Sequence, residues 1–120
     1  MELIKIINAR RVLEELADKA EVNTHLAYWM TKFIIKTEND HKFYATELNK
    51  LLDKYAQDKD EQTFKVAPEN IDAFNKAIIE LGATDVEDPG VRFDLAELSS
   101  ELKLSMKQVY PLMDFIRESE

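Results

Sequence analysis

A chain of 120 residues fills one domain, residues 1–120, and can bury a core without help from a disulfide or metal. The absence of cysteine excludes disulfides, thiol nucleophiles and cysteine-held zinc. Two glycines and three prolines are too few for a turn-rich β-sandwich or barrel and favour long helices. The net charge of −8 lies wholly in the second half: residues 1–57 hold nine basic and nine acidic residues, residues 58–120 seven and fifteen. Such a surface repels nucleic acid and anionic membrane and attracts basic protein surfaces. The start of the chain lacks the basic and apolar regions of a signal peptide, and its longest apolar runs are far below the about 20 residues that span a bilayer. The expected location is the cytoplasm of the cell that makes the protein.

Leu3, Ile4, Ile6 and Ile7 around Lys5 read as a short opening strand. Asn8 then serves as a helix N-cap. Val12, Leu13, Leu16 and Ala20 predict an amphipathic helix over 9–20, with Arg10 and Arg11 in its first turn. Asn23 or Thr24 caps the next helix. From there Ala27, Met30, Ile34, Thr37, His41, Tyr44, Leu48, Leu51 and Tyr55 repeat at alternating spacings of 3 and 4, a helical-hairpin or coiled-coil seam. The preferred reading is one helix over 24–57, roughly 50 Å long at 1.5 Å per residue. The weak helix formers Thr37-Glu38-Asn39-Asp40 mark where it bends or breaks.

Asp58 to Thr63 reads as a charged loop, and Phe64-Lys65-Val66 as a strand. Pro68 opens a helix over 69–81. Ile71, Phe74, Ile78 and Leu81 form its apolar stripe, and Gly82 closes it as the residue beyond the last turn. Val91-Arg92-Phe93 suggest a third strand, and Leu95 and Leu98 a helical turn. Ser105 caps a last helix over 105–116 that Pro111 kinks. The fold class is then α+β and mostly helical: a long helical hairpin, a small two- or three-stranded sheet and two shorter helices. Residues 1–57 give the strand and hairpin, and residues 64–120 the acidic α/β part.

Little in the sequence points to catalysis. It holds no Gly-x-Ser-x-Gly elbow and only two histidines, which lie roughly 24 Å apart along a straight helix. Glu38 and His41 put a carboxylate and an imidazole at i and i+3, a spacing found in metal sites of helical bundles. No second pair faces them, so His41 reads as a seam histidine hydrogen-bonded across the hairpin. No metal and no cofactor are expected. Arg10-Arg11 alone make a poor nucleic-acid site. Protein binding remains. The long helix carries more apolar surface than one short helix covers, which suits homodimerisation or docking unless helices 9–20, 69–81 and 105–116 cover it together.

Ile7-Asn8-Ala9-Arg10 and the segment from Phe64-Lys65-Val66-Ala67-Pro68 to Phe74-Asn75 resemble small uncharacterised proteins of phages and prophages of Gram-positive bacteria. So do Phe93-Asp94-Leu95, Leu104-Ser105 and Phe115-Ile116. The resemblance spans nearly the whole chain and implies a phage setting, with no catalytic residue or cofactor to carry over. Two functions fit that setting. One is a non-enzymatic, anti-CRISPR-like inhibitor of a host nucleic-acid-handling defence enzyme. Its partner-binding acids would be Glu80, Asp85, Glu87, Asp88, Asp94, Glu97 and Glu101, which face only Arg92 as a cation in that stretch. The other is a virion or tail assembly accessory that meets a phage structural protein through its helices.

Overall fold

The computed structural model of the chain describes residues 1–19, 21–59 and 64–118. Its element order is helix α1 (Leu3–Lys19), α2 (Thr24–Lys36), α3 (Glu38–Tyr55), strands β1 (Ala56–Lys59) and β2 (Phe64–Val66), then α4 (Ile71–Gly82) behind a 3-10 turn, Pro68–Asn70. Strand β3 (Phe93–Asp94), α5 (Leu95–Glu101), α6 (Met106–Leu112), a 3-10 turn at Met113–Phe115 and β4 (Ile116–Arg117) complete it. The mostly helical α+β class stands. The strands make two separate pairs, β1 antiparallel to β2 and β3 parallel to β4. Among the described residues no helix is long and apolar enough to cross a membrane.

The opening segment is a helix, not a strand. Leu3, Ile6, Ile7, Arg10 and Leu13 are all buried on α1, and their spacings of 3, 1, 3 and 3 follow a turn of 3.6 residues. The only strand-like feature at this end is one antiparallel bridge, Glu2 with Asp85. The Leu3 amide gives its hydrogen to the Thr84 carbonyl, so a loop rather than a cap residue satisfies a free amide of the first turn. Asn8 consequently lies inside α1 and caps nothing.

The 24–57 helix is also interrupted. Thr37 has φ −103° and ψ 8° and separates α2 from α3. The cause is Arg10, whose side chain is only 6% exposed. Its Nη1 donates to the Ile34 carbonyl at 2.7 Å and to Thr37 Oγ1 at 3.0 Å, while Nη2 donates to Glu38 Oε2 at 3.1 Å. A continuous helix bonds the Ile34 carbonyl to the Glu38 amide. Here that carbonyl accepts from a buried cation, which also suits the negative end of the α2 dipole. Thr37 Oγ1 donates in turn to the Phe33 carbonyl at 2.7 Å.

One hydrophobic cluster, centred on Phe33, joins α1, α2, β3, α5, α6 and the following 3-10 turn. The Phe33 ring meets Phe115 edge-on at 4.9 Å between centroids and lies 6.1 Å from Phe93. No residue of α3 or α4 belongs to this cluster. Those helices form a hairpin through β1 and β2, buttressed by Tyr55 against Phe74 and by buried Leu52. The molecule is accordingly long, 51 × 28 × 24 Å, with a radius of gyration of 16.5 Å, against about 14 Å for a compact domain of this length.

Asn23 caps α2, its side chain accepting from the Leu26 amide. Ser105 and Gln108 form a full capping box on α6. Pro68 begins its 3-10 turn. The last helix is shorter than 105–116, because the chain tightens into a 3-10 turn after Leu112 and then pairs with β3. The predicted 58–63 loop is already strand at Asp58 and Lys59, and 60–63 lie outside the described residues.

Gly82 is not a left-handed terminator. Among the described residues the only positive φ belongs to Gly90, at 75°. Gly82 sits within α4 because a Cβ there would lie 3.0 Å from Ile4 Cβ, so it lets α4 close on α1. Gly82→Val is expected to destabilise by about 1–3 kcal/mol through overpacking, despite the roughly 1 kcal/mol gained by removing glycine from a helix. Urea unfolding checks this, and a variant as stable as the parent would contradict the close packing.

Candidate functional site

The seven acids between Glu80 and Glu101 do not form one open face. Asp85 accepts from the N-terminal ammonium at 2.8 Å, and that hydrogen bond, followed by the ammonium charge, holds its carboxyl below the ordinary range. Asp88 clasps Arg92 with both oxygens, at 2.6 and 3.1 Å, and accepts from the Gly90 amide at 2.8 Å. The left-handed Gly90 makes that local turn with no side-chain penalty. Glu101 accepts from the Asn23 amide at the start of α2. Asp94 is half-buried on β3 and is not without a partner.

Glu97 belongs to a relay. It accepts from His25 Nδ1 at 2.9 Å, and His25 Nε2 accepts from the Trp29 indole N–H at 3.3 Å. These groups line a cavity of about 290 Å³ together with Arg92, Asp94 and Arg117. The relay ties α5 to α2.

Glu80 and Glu87 remain exposed, with no hydrogen bond or ion pair among the described residues. Glu87 has company the linear sequence did not reveal. Asp40, at the start of α3, lies near enough that Glu87's charge, second to partial burial, pushes the Asp40 carboxyl above its ordinary value. Glu2 is bridged to Asp85 on the same loop. The loop around Asp85 and Glu87 therefore draws in Glu2 and Asp40, four acids from three segments. No local sequence signal marks Glu2 or Asp40, because folding alone brings them to this loop.

Glu38 does not pair with His41 for a metal: its carboxylate binds Arg10 at 3.1 Å and Lys42 at 3.9 Å. Among the described residues no group of three or more candidate ligands could hold a metal ion. The His41 ring makes no hydrogen bond across the hairpin among them; only its amide bonds, to the Thr37 carbonyl.

Asp88 gives a pH signature. Hydrogen bonds from Arg92 and the Gly90 amide lower its value from 3.8. A lowered carboxyl contributes stability above its unfolded value, and that contribution fades as pH falls through the folded one. Asp88→Asn is expected to be less stable than the parent at neutral pH and to converge with it below about pH 4. Thermal melts across this range check it. A stability difference that persists unchanged at low pH would contradict the ionic origin.

Comparison with protein-family models, with curated proteins and with solved structures finds no match to this chain.

Proposed function

We propose that this chain is a phage-encoded, non-enzymatic protein-binding protein, an anti-CRISPR-like inhibitor. It would dock this acidic loop on the basic nucleic-acid-binding surface of a host defence enzyme. The observation that supports this reading is the Asp40–Glu87 juxtaposition. Two carboxylates from different segments lie near enough to repel, with no cation paired to either among the described residues. Like charges held together store repulsion, and a partner's lysine or arginine relieves it. The same partner surface is the one that otherwise grips phosphates, so binding and nucleic-acid loading would exclude each other. The acids engaged within the fold, Asp85, Asp88, Glu97 and Glu101, act in this reading mainly by shaping the loop and pinning α5, and add to the field at longer range.

The test is capture of the target from nuclease-treated lysate of host cells, followed by a nucleic-acid-binding assay of whatever enzyme is retained. The triple variant Asp40→Lys, Glu80→Lys and Glu87→Lys is expected to stay folded. It should bind at least about tenfold more weakly, and parent binding should weaken as salt rises. Asp40→Asn alone should slightly stabilise the free protein, by at most about 0.5 kcal/mol, since exposed charge pairs contribute little. A folded triple variant that still binds and still blocks loading would sink the proposal.

A second reading, the assembly accessory acting through helices, is favoured by the hairpin's outward apolar side chains: Phe43 at 46%, Ile71 at 43% and Ile79 at 70% exposure. If capture yields phage structural proteins, and Phe43→Ser with Ile79→Ser abolishes it while the lysine variants do not, this reading replaces the first.

A further inference from the structure

The groove between α1 and the start of α6 is built from one side of each helix. On α1, Asn8, Arg11, Val12 and Glu15 follow at spacings of 3, 1 and 3, the repeat of a single helical side. Lys107, Gln108 and Pro111 of α6 join them, with the N-cap of that helix, Ser105. The groove has a volume of about 390 Å³, within the range of small-molecule sites. Buried Val12 and half-buried Pro111 supply its apolar part.

Its polar groups are donors that the fold leaves over. Arg11 and Lys107 are exposed, and neither enters a hydrogen bond or ion pair among the described residues. The Asn8 side chain, which caps no helix, is equally unengaged among them. In the capping box the Ser105 amide donates to Gln108 Oε1 at 2.9 Å, and the Gln108 amide donates to Ser105 Oγ at 3.3 Å. Both side chains act there as acceptors, so the Ser105 hydroxyl hydrogen and the Gln108 NH2 group remain to be given. The one carboxylate lining the groove, Glu15, is directed to Lys19 at 3.4 Å. Donors thus gather here with no free acceptor to meet them. The cavity beside His25 differs, because Asp88 clasps its Arg92 and its lining includes Asp94 and Glu97.

We infer that the α1–α6 groove binds a small organic phosphate, a phosphate monoester with a compact carbon body. Such an ester carries a charge of about −1.5 to −2 at neutral pH and three strong acceptor oxygens. The charge matches Arg11 and Lys107 together. The oxygens suit a guanidinium fork, an ammonium and a hydroxyl. A carboxylate brings a single charge and two oxygens, and answers fewer of these donors. A bare phosphate leaves Val12 and Pro111 uncovered. The carbon body would lie on those two, with the Asn8 and Gln108 amides free to bond its polar substituents. The site stands apart from the acidic loop, none of whose carboxylates line it.

The probe is phenyl phosphate, titrated into the whole chain and followed by nuclear magnetic resonance. With about 11 non-hydrogen atoms it should saturate at about 1 mM or below, shifting the Ser105, Lys107 and Gln108 amides and the Arg11 side-chain N–H. Inorganic phosphate, which lacks the body, and benzoate, which lacks the second charge, should both bind more weakly. Affinity for phenyl phosphate should fall below about pH 6, where the ester loses its second charge. Arg11→Gln with Lys107→Gln should weaken binding at least about tenfold. Lys36→Gln with Lys76→Gln removes the same charge from exposed positions elsewhere and should bind as the parent does. Circular dichroism confirms that each variant folds. The inference is overturned if no shift saturates, if benzoate or inorganic phosphate binds as tightly as phenyl phosphate, or if the Arg11 and Lys107 variant binds like the parent. It is also overturned if the Lys36 and Lys76 variant loses as much, because the attraction is then a general one and not a property of the groove.

Discussion

Arg10→Ala is expected to lower stability by about 3–4 kcal/mol, a third or more of what a domain of this size typically has. The figure follows from what the guanidinium leaves behind. The two carboxylates it meets, Glu14 and Glu38, are 53% and 45% exposed, so water rehydrates them at little cost. The Ile34 carbonyl loses its strongest donor, and the fully buried Thr37 hydroxyl keeps its bond to the Phe33 carbonyl but loses the donor to its own oxygen. A buried polar group left without its partner costs about 1–3 kcal/mol, and the arginine stem, buried between α1 and the α2–α3 junction, leaves a space as well. Arg10→Lys should fall between, because an ammonium keeps the charge but cannot reach four acceptors as a planar fork does. Arg11→Ala, one position on and exposed, should change stability by less than about 0.5 kcal/mol. Guanidinium unfolding of the three variants separates these outcomes. An Arg10→Ala protein within about 1 kcal/mol of the parent would show that the cation is decorative and that Thr37 breaks the helix by propensity alone.

The same residue shows why the reading from sequence stopped where it did. Local signals were legible: the Asn23 cap, the Ser105 cap, the proline that opens the turn before α4 and the alternation at Phe64-Lys65-Val66 each act within four residues. The opening segment misled because isoleucines favour strands locally, while the helical repeat through Leu3, Ile6, Ile7 and Leu13 includes a polar arginine as one of its buried members. Seen linearly, Arg10 marked a helix start and a surface. Likewise the spacings of 3 and 4 run unbroken across Thr37; the weak helix formers there marked where the helix could break, but not the partner 27 residues away that bonds to the junction. Gly82 carried a terminator's signature, but Ile4, far off in sequence, decides its role. For the acidic loop, charge counting found the excess of carboxylates. It could not tell which of them the fold would engage, nor that Asp40 and Glu2 would join Glu87 and Asp85.

Phe33→Ala is expected to cost about 3–5 kcal/mol, the range for truncating a buried aromatic, and to unfold the α3–α4 hairpin along with the core. Phe33 is fully buried and meets Phe115 and Phe93, so its loss opens a cavity where three elements converge. Rigid interiors refill such spaces only partly. The hairpin is the informative part. It contributes nothing to the central cluster, and it is held to the rest by the Arg10 contacts at Glu38 and by Gly82 against Ile4. Its own buried side chains, chiefly Leu52 and Phe74, are too few to support an independent fold. Loss of the core should therefore remove the hairpin in the same transition. Far-ultraviolet circular dichroism, which reports all helices, and Trp29 fluorescence, which reports the α2 side of the core, should give coincident unfolding curves for parent and variant. Ile79→Ala, at a side chain 70% exposed, should shift neither by more than about 0.5 kcal/mol. A helical signal that outlives the Trp29 transition would mean that the hairpin stands alone, and the two anchors at Arg10 and Gly82 would then be hinges between two units rather than part of one cooperative structure.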